Sequence, residues 1–193
     1  MLDSIKQCKR CKLCNNQDPL LDKPRNCDIM WVGLSAKKVD DIENDIPLSN
    51  KTNTGRIVEE IESRCNNVLT YKTNLVKCLP LDENEKLRYP NSSEMNICFN
   101  NLIKEIDILN PKIIFLLGSK VTIAVERNLK IKFEKNINSY FKIGKYKGIE
   151  LISVYHPSYI HSYRRKYKDS YIEQISNTIN TRIKNRRCFF IDD

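Results

Sequence analysis

Three cysteines lie near the start of the chain at a regular spacing, Cys8-x2-Cys11-x2-Cys14. Two thiolates spaced C-x2-C can converge on one metal centre. A ferredoxin-type run would carry a fourth cysteine after three further residues, but position 18 is Asp. The missing ligands must therefore come from a distance, and Cys78 and Cys98 are the candidates to join Cys8 and Cys11. Four thiolates suit either a [4Fe–4S] cluster or zinc, and spacing alone does not choose between them. Cys27, Cys65 and Cys188 fall in or near apolar stretches and read as small buried hydrophobes.

The elements that must position these residues are legible as short apolar runs separated by helical patterns. Asp28–Gly33, Tyr71–Val76, Lys112–Gly118 and Glu150–Tyr155 are of strand length, and three of them are continuously apolar, as buried parallel strands are. Thr54 can cap a helix over Gly55–Cys65, and Ser92 one that runs to Leu109. Ser119 opens a third over Lys120–Asn128. A fourth, Lys168–Lys184, carries Ile172, Ile175, Ile179 and Ile183 on one face. Alternation of this kind predicts a three-layer α/β/α domain spanning residues 1–193 around a mainly parallel sheet. In such sheets ligands bind beyond the carboxyl ends of the strands. The segments there are Gly33–Leu48, Lys77–Pro90, Gly118–Lys120 and His156–Arg164. His156 follows the last strand and precedes a proline-fixed turn, which aims it at that edge.

The chain has 193 residues and a net charge of +9. Between Lys142 and Arg187 eleven Lys and Arg face three acids, so nearly all of the excess sits in the last quarter. A clustered basic face points to a polyanion partner, above all nucleic acid, although a Lys-, Asn- and Ile-rich composition also fits a solvated surface. No apolar run approaches the roughly 18 residues of a membrane span, and the N-terminus lacks the apolar core of a secretory signal. The expectation is a cytoplasmic, monomeric protein with no membrane partner.

Taken in order, these segments resemble the iron–sulfur-cluster uracil-DNA glycosylases of the uracil-DNA glycosylase superfamily. CKRCKLC at Cys8–Cys14 resembles the family's opening ligand pair, and IMWVGLSAK at Ile29–Lys37 its first strand and catalytic motif. IPLS with TGRIVEEI resembles a Pro-Phe segment and the helix after it. TNLVKCLP at Thr73–Pro80 resembles the strand carrying a base-reading Asn and a ligand Cys. Pro90, Glu94 and Cys98 echo a similarly spaced trio, and YHPSYI at Tyr155–Ile160 resembles the second catalytic motif.

The resemblance implies a central four-stranded sheet, DNA as partner and a [4Fe–4S] cluster on Cys8, Cys11, Cys78 and Cys98. It implies that uracil is cut from C1′ after the base is flipped from the stack. His156 would donate to the departing pyrimidine oxygen, and Asn74, with an acceptor and two donors, would pair with uracil N3–H and O4. Gly33, Leu34, Leu48 and Ser158 would complete the substrate site. The chain departs from the family pattern at Leu34, where many relatives carry an acid, and at Leu48, where a Phe is usual. A branch that also carries Leu uses a later acid; Asp40, Asp41 and Glu43 are the carboxylates available here, Asp40 being the first choice and a solvated loop acid the alternative reading of each. Tyr159, Arg164, Arg165 and Lys166 are the expected DNA contacts.

Overall fold

The computed structural model describes residues 2–135 and 141–188, with residues 185–188 described by backbone alone. The chain opens with α1 (Asp3–Lys6) and a 3-10 turn at Lys12–Asn15, then enters β1 (Ile29–Ser35). There follow α2 (Asn53–Ser63), β2 (Thr70–Val76), α3 (Ser92–Leu109), β3 (Ile113–Leu117) and α4 (Ser119–Leu129). A short edge ribbon, β4 (Glu134–Lys135) and β5 (Lys142–Tyr146), precedes β6 (Ile149–Val154). The chain ends in α5 (Pro157–Tyr163), a 3-10 turn at Arg165–Tyr167 and α6 (Lys168–Cys188).

The sheet order is β2-β1-β3-β6-β5-β4. The first four strands are parallel, as expected, and β5 and β4 extend them antiparallel to a total of six. The four-stranded expectation missed this ribbon because β5 carries exposed Lys142 and Lys145 within five residues, which leaves no continuous apolar run.

Helices cover both faces. Leu102, Ile106 and Leu109 of α3 and Val121, Ala124 and Val125 of α4 pack on one side, joined by Leu2, Ile5 and Leu13 from the N-terminal segment. Ile57, Val58 and Ile61 of α2 and Ile172, Ile175, Ile179 and Ile183 of α6 pack on the other, around a stacked Trp31–Phe115 pair at 4.6 Å. Each fully buried isoleucine contributes about 1.5–3 kcal/mol of transfer free energy. Cys27 is buried, and burial pushes its thiol up to about 12, while Cys65 is only partly covered. The Cys188 side chain lies outside the described residues. Among the described residues no helix is long and apolar enough to cross a membrane.

Helix starts shift by a residue or two from the expected ones. Thr52 rather than Thr54 caps α2, accepting from Gly55 N–H at 3.0 Å. Asn91 rather than Ser92 caps α3 in a reciprocal box with Glu94. Both are the first oxygen-bearing side chain that can still reach the third helical N–H.

Candidate active site

The strand order reverses between β1 and β3, which creates a switch point at their carboxyl ends. Asn74 of β2 flanks it on one side and His156, two residues beyond β6, on the other. Gly33 pairs directly with Asn74 across the β1–β2 register. A Cβ on Gly33 would lie 2.3 Å from Asn74 Oδ1 and 3.1 Å from Leu48 Cδ2, so the bare backbone there makes room for the carboxamide. Leu48 occupies the left-handed region at φ 53°. A non-glycine residue held so costs about 1–3 kcal/mol, an expense that surrounding contacts must over-determine. Gly55 supplies part of that hold: a Cβ on it would overlap Ser49 and the Leu48 carbonyl, so α2 presses directly on this loop.

Asn74, Leu48, Lys37, Asp40 and Asp45 share one cavity of about 130 Å³. A void of about 150 Å³ accepts a benzene ring, so the space is on the scale of one nucleobase ring. Of the three acids weighed from sequence, only Asp40 lines it. Asp41 is occupied by the Glu43 and Asn44 N–H groups, and Glu43 pairs with Lys6 at 2.8 Å. Sequence reading missed Asp45, which is buried and paired with Lys51 at 2.5 Å. Leu34 does not reach the cavity. Side chains alternate along β1, and Leu34 packs into the α3-side core, while Ser35 lines the cavity.

Behind Asn74 lies a polar network that sequence reading also missed. Lys77 and Glu105 are fully buried and form an ion pair. Lys77 Nζ also donates to Thr73 Oγ1 at 2.7 Å and to the Asn74 carbonyl at 2.5 Å. Tyr71 Oη and Thr73 Oγ1 donate to Glu105 Oε1 at 3.0 and 2.9 Å. Buried charges persist only when satisfied in this way, and the result here is a rigid seat for the end of β2.

His156 caps α5, and the segment expected to be a proline-fixed turn is a helix with Pro157 in its first turn. Ser158 N–H donates to His156 Nδ1 at 3.2 Å, and Ser158 Oγ lies 2.7 Å from the same nitrogen. A backbone N–H can only donate, so Nδ1 is the acceptor and the proton of the neutral ring sits on Nε2. Ser158 thus acts on the ring rather than lining the cavity. Burial lowers the His156 pKa, and the Lys37 charge lowers it further, which keeps the ring neutral. His156 is not among the residues lining the Asn74 cavity, and Lys37 is the side chain that bears on both. Gly118 adopts φ +97° behind the histidine, and a Cβ there would stand 3.1 Å from His156 Cβ. Thr122 fixes this turn by bonding the Gly118 carbonyl at 3.1 Å and Ser153 at 2.7 Å.

The cysteines gather on the α3 side. Arg10 bridges Cys8 Sγ at 3.5 Å to Asn101 Oδ1 at 2.6 Å. Asn101 Nδ2 lies 3.8 Å from Cys98 Sγ, which also accepts from Lys77 N–H at 3.4 Å. Leu20 N–H and Asn16 Nδ2 tie the N-terminal segment to the Lys77 and Leu79 carbonyls, both at 2.9 Å. Burial pushes the Cys78 thiol up, reinforced by Cys98, Cys11, Cys14 and Cys8 around it. Cys8 differs: its burial penalty is outweighed by hydrogen bonds from Arg10 and Asn101, and its thiol is lowered. N–H groups aimed at sulfur are what thiolate ligands need. Among the described residues no three metal-ligating side chains close on a point that fits a single ion.

Tyr159, Arg164, Arg165 and Lys166 follow His156 along α5 and the turn after it, and all four are exposed. Arg164 Nε donates to Tyr159 Oη at 3.3 Å.

A family model described as the uracil DNA glycosylase superfamily matches residues 17–179, a span that holds Asn74, Cys78, Cys98 and His156 but starts after Cys8 and Cys11. Three relatives are each named type-4 uracil-DNA glycosylase. The protein from Saccharolobus solfataricus is 28% identical over 150 residues, covering 76% of this chain and 63% of the relative. That from Sulfurisphaera tokodaii is 32% identical over 174 residues, covering 81% and 74%. That from Thermotoga maritima is 27% identical over 163 residues, covering 82% and 80%. The chain thus spans less than two thirds of the first of these proteins and about three quarters or more of the other two.

Proposed function

The chain belongs to the uracil DNA glycosylase superfamily, and from that premise we propose that it excises uracil, or a related deaminated or modified base, from DNA by hydrolysing the bond between the base and C1′. The observation that carries this reading is the Asn74 carboxamide, seated over Gly33 at the wall of a ring-sized cavity. Uracil offers an N3–H donor beside an O4 acceptor, and one carboxamide can meet both. Cytosine presents the opposite pattern at those atoms.

The leaving base departs as an anion while the sugar becomes cationic. His156 donates from Nε2 to the developing oxyanion, in the tautomer that Ser158 enforces. One such preorganised donor is worth about 10²–10³ in rate. Lys37 adds a positive charge on the same side. Asp40 orients the attacking water toward C1′ and takes its proton. Leu48 gives apolar contact to the base. Arg164, Arg165 and Lys166 hold the phosphates, which makes binding steeply salt-dependent.

Cys8, Cys11, Cys78 and Cys98 would hold a [4Fe–4S] cluster, whose contribution is to cross-link the N-terminal segment to the loop beyond β2, since the hydrolysis transfers no electron. Cys14 is the fifth thiol of the group and is not required as a ligand. The protein acts as a monomer in the cytoplasm.

The test is incubation with oligonucleotides carrying a single uracil, hypoxanthine or xanthine, with free base read by mass spectrometry. Release from the uracil strand, with none from a thymine or cytosine strand, is expected. A protein with its full iron content that frees no base from any strand contradicts the proposal.

A further inference from the structure

Beside His156 runs a ladder of three tyrosines that the proposed reaction does not use. Tyr155 and Tyr159 have ring centroids 5.7 Å apart at 37°, and Tyr159 and Tyr163 have theirs 5.6 Å apart at 32°. The side chains are 49%, 37% and 78% exposed, so a continuous aromatic face opens to solvent where soluble proteins rarely place one. The ladder is braced from beneath, since Tyr171 Oη donates to the Tyr155 carbonyl at 2.7 Å. Cations border it: Arg164 bonds Tyr159, and Arg164 and Lys166 lie over the Tyr167 ring at 5.9 and 5.0 Å.

Aromatic rings edged by cations suit a strand that is anionic along its backbone and offers flat bases. Access to the bases decides between the two forms of DNA. Bases in a duplex rise about 3.4 Å per residue along each strand and are paired inside it. A repeat of 5.6–5.7 Å matches no such stack. Rings on the protein surface can take up bases only from a strand that is unpaired, with successive bases laid against successive rings.

We propose that Tyr155, Tyr159 and Tyr163 form a stacking track for unpaired bases flanking the extruded nucleotide, and that the protein takes single-stranded DNA in preference to duplex. This rests on DNA being the substrate but not on which base is cut. The track begins at the residue before His156, so the base entering the pocket and its neighbours on the rings belong to one strand. Stacking is tolerant of sequence because every base has a π-face. The track therefore sets strand state and leaves base choice to Asn74.

The experiment uses fluorescence anisotropy with a labelled oligothymidine lacking uracil and with a duplex of the same length, at one fixed salt concentration. Because nothing in these strands can be excised, the readout stands whether or not the uracil reading holds. Wild type should bind the single strand at least about fivefold tighter than the duplex. Tyr163→Leu, at the most exposed ring, should weaken single-strand binding by about fivefold or more and duplex binding by less than about twofold, while Tyr163→Phe keeps the wild-type ratio. Circular dichroism verifies that each variant is folded. Equal affinity for both forms, equal weakening of both by Tyr163→Leu, or no effect of that variant would each overturn the proposal.

Discussion

The Gly33 backbone and the Asn74 carboxamide are in such close apposition that a methyl group on Gly33 would stand 2.3 Å from Asn74 Oδ1. Glycine is needed here for space, because the Asn74 carboxamide lies over β1. Gly33→Ala should swing the carboxamide out of place and lower single-turnover excision of uracil by about a hundredfold, the scale set by a displacement near 1 Å. Its thermal midpoint should stay close to that of wild type. Rate and melting measured on one preparation check both halves.

His156 gives a prediction in pH. Burial, then Lys37, lower its pKa below the ordinary 6.5, so the neutral ring persists into mildly acidic solution. Activity should hold as pH falls through 6.5 and drop only at a lower value, where protonation of Nδ1 breaks its bond from Ser158 N–H. The unfolded histidine takes up its proton first, so stability too declines below pH 6.5. Lys37→Met removes one of the two causes and should move the acidic limb upward. A pH–rate profile of both proteins reads the shift.

Lys77 and Glu105 are buried as a pair, and each is costly alone. Lys77→Met should destabilise by about 3–5 kcal/mol, because Glu105 is left as an uncompensated charge. Lys77→Met combined with Glu105→Leu should regain much of that loss, yet excision should stay impaired, since the Asn74 carbonyl has lost its donor. Urea denaturation and single-turnover kinetics on the three proteins separate the two effects.

The thiol group makes a prediction about ligand identity. Cys78→Ser or Cys98→Ser should abolish the visible absorption and iron content of anaerobically prepared protein, whereas Cys14→Ser should keep both. Loss of iron in Cys14→Ser with retention in Cys8→Ser would move the ligand pair along by three residues. Iron and sulfide analysis of each variant decides.

Much of this was legible in the residues, for physical reasons that also explain the gaps. β1, β3 and β6 announce themselves because a strand buried on both faces must be apolar throughout. The β4–β5 ribbon, an edge with Lys142 and Lys145 outward, carries no such signal. His156 is marked by a strand end and a proline, whereas Asn74 stands out only through the resemblance of Thr73–Pro80 to a family strand. Lys77 and Glu105 escaped notice because a charged residue in a loop or on a helix reads as solvated until its partner, 28 positions away, is brought beside it. Asp45 escaped for the same reason. Leu34 was assigned to the substrate site by its place after Gly33, but strand alternation sends it to the opposite core.

The central claim is that Asn74 and His156 act on one extruded base from opposite sides of the switch point. It is tested most directly by single-turnover release of uracil from a single-stranded oligonucleotide by wild type, Asn74→Ala, His156→Ala and the double variant. Wild type should release the base, and each single variant should be slower by about 10²-fold or more. The double variant should fall short of the product of the two losses, as groups acting on one substrate do. Uracil release undiminished in either single variant would contradict the account.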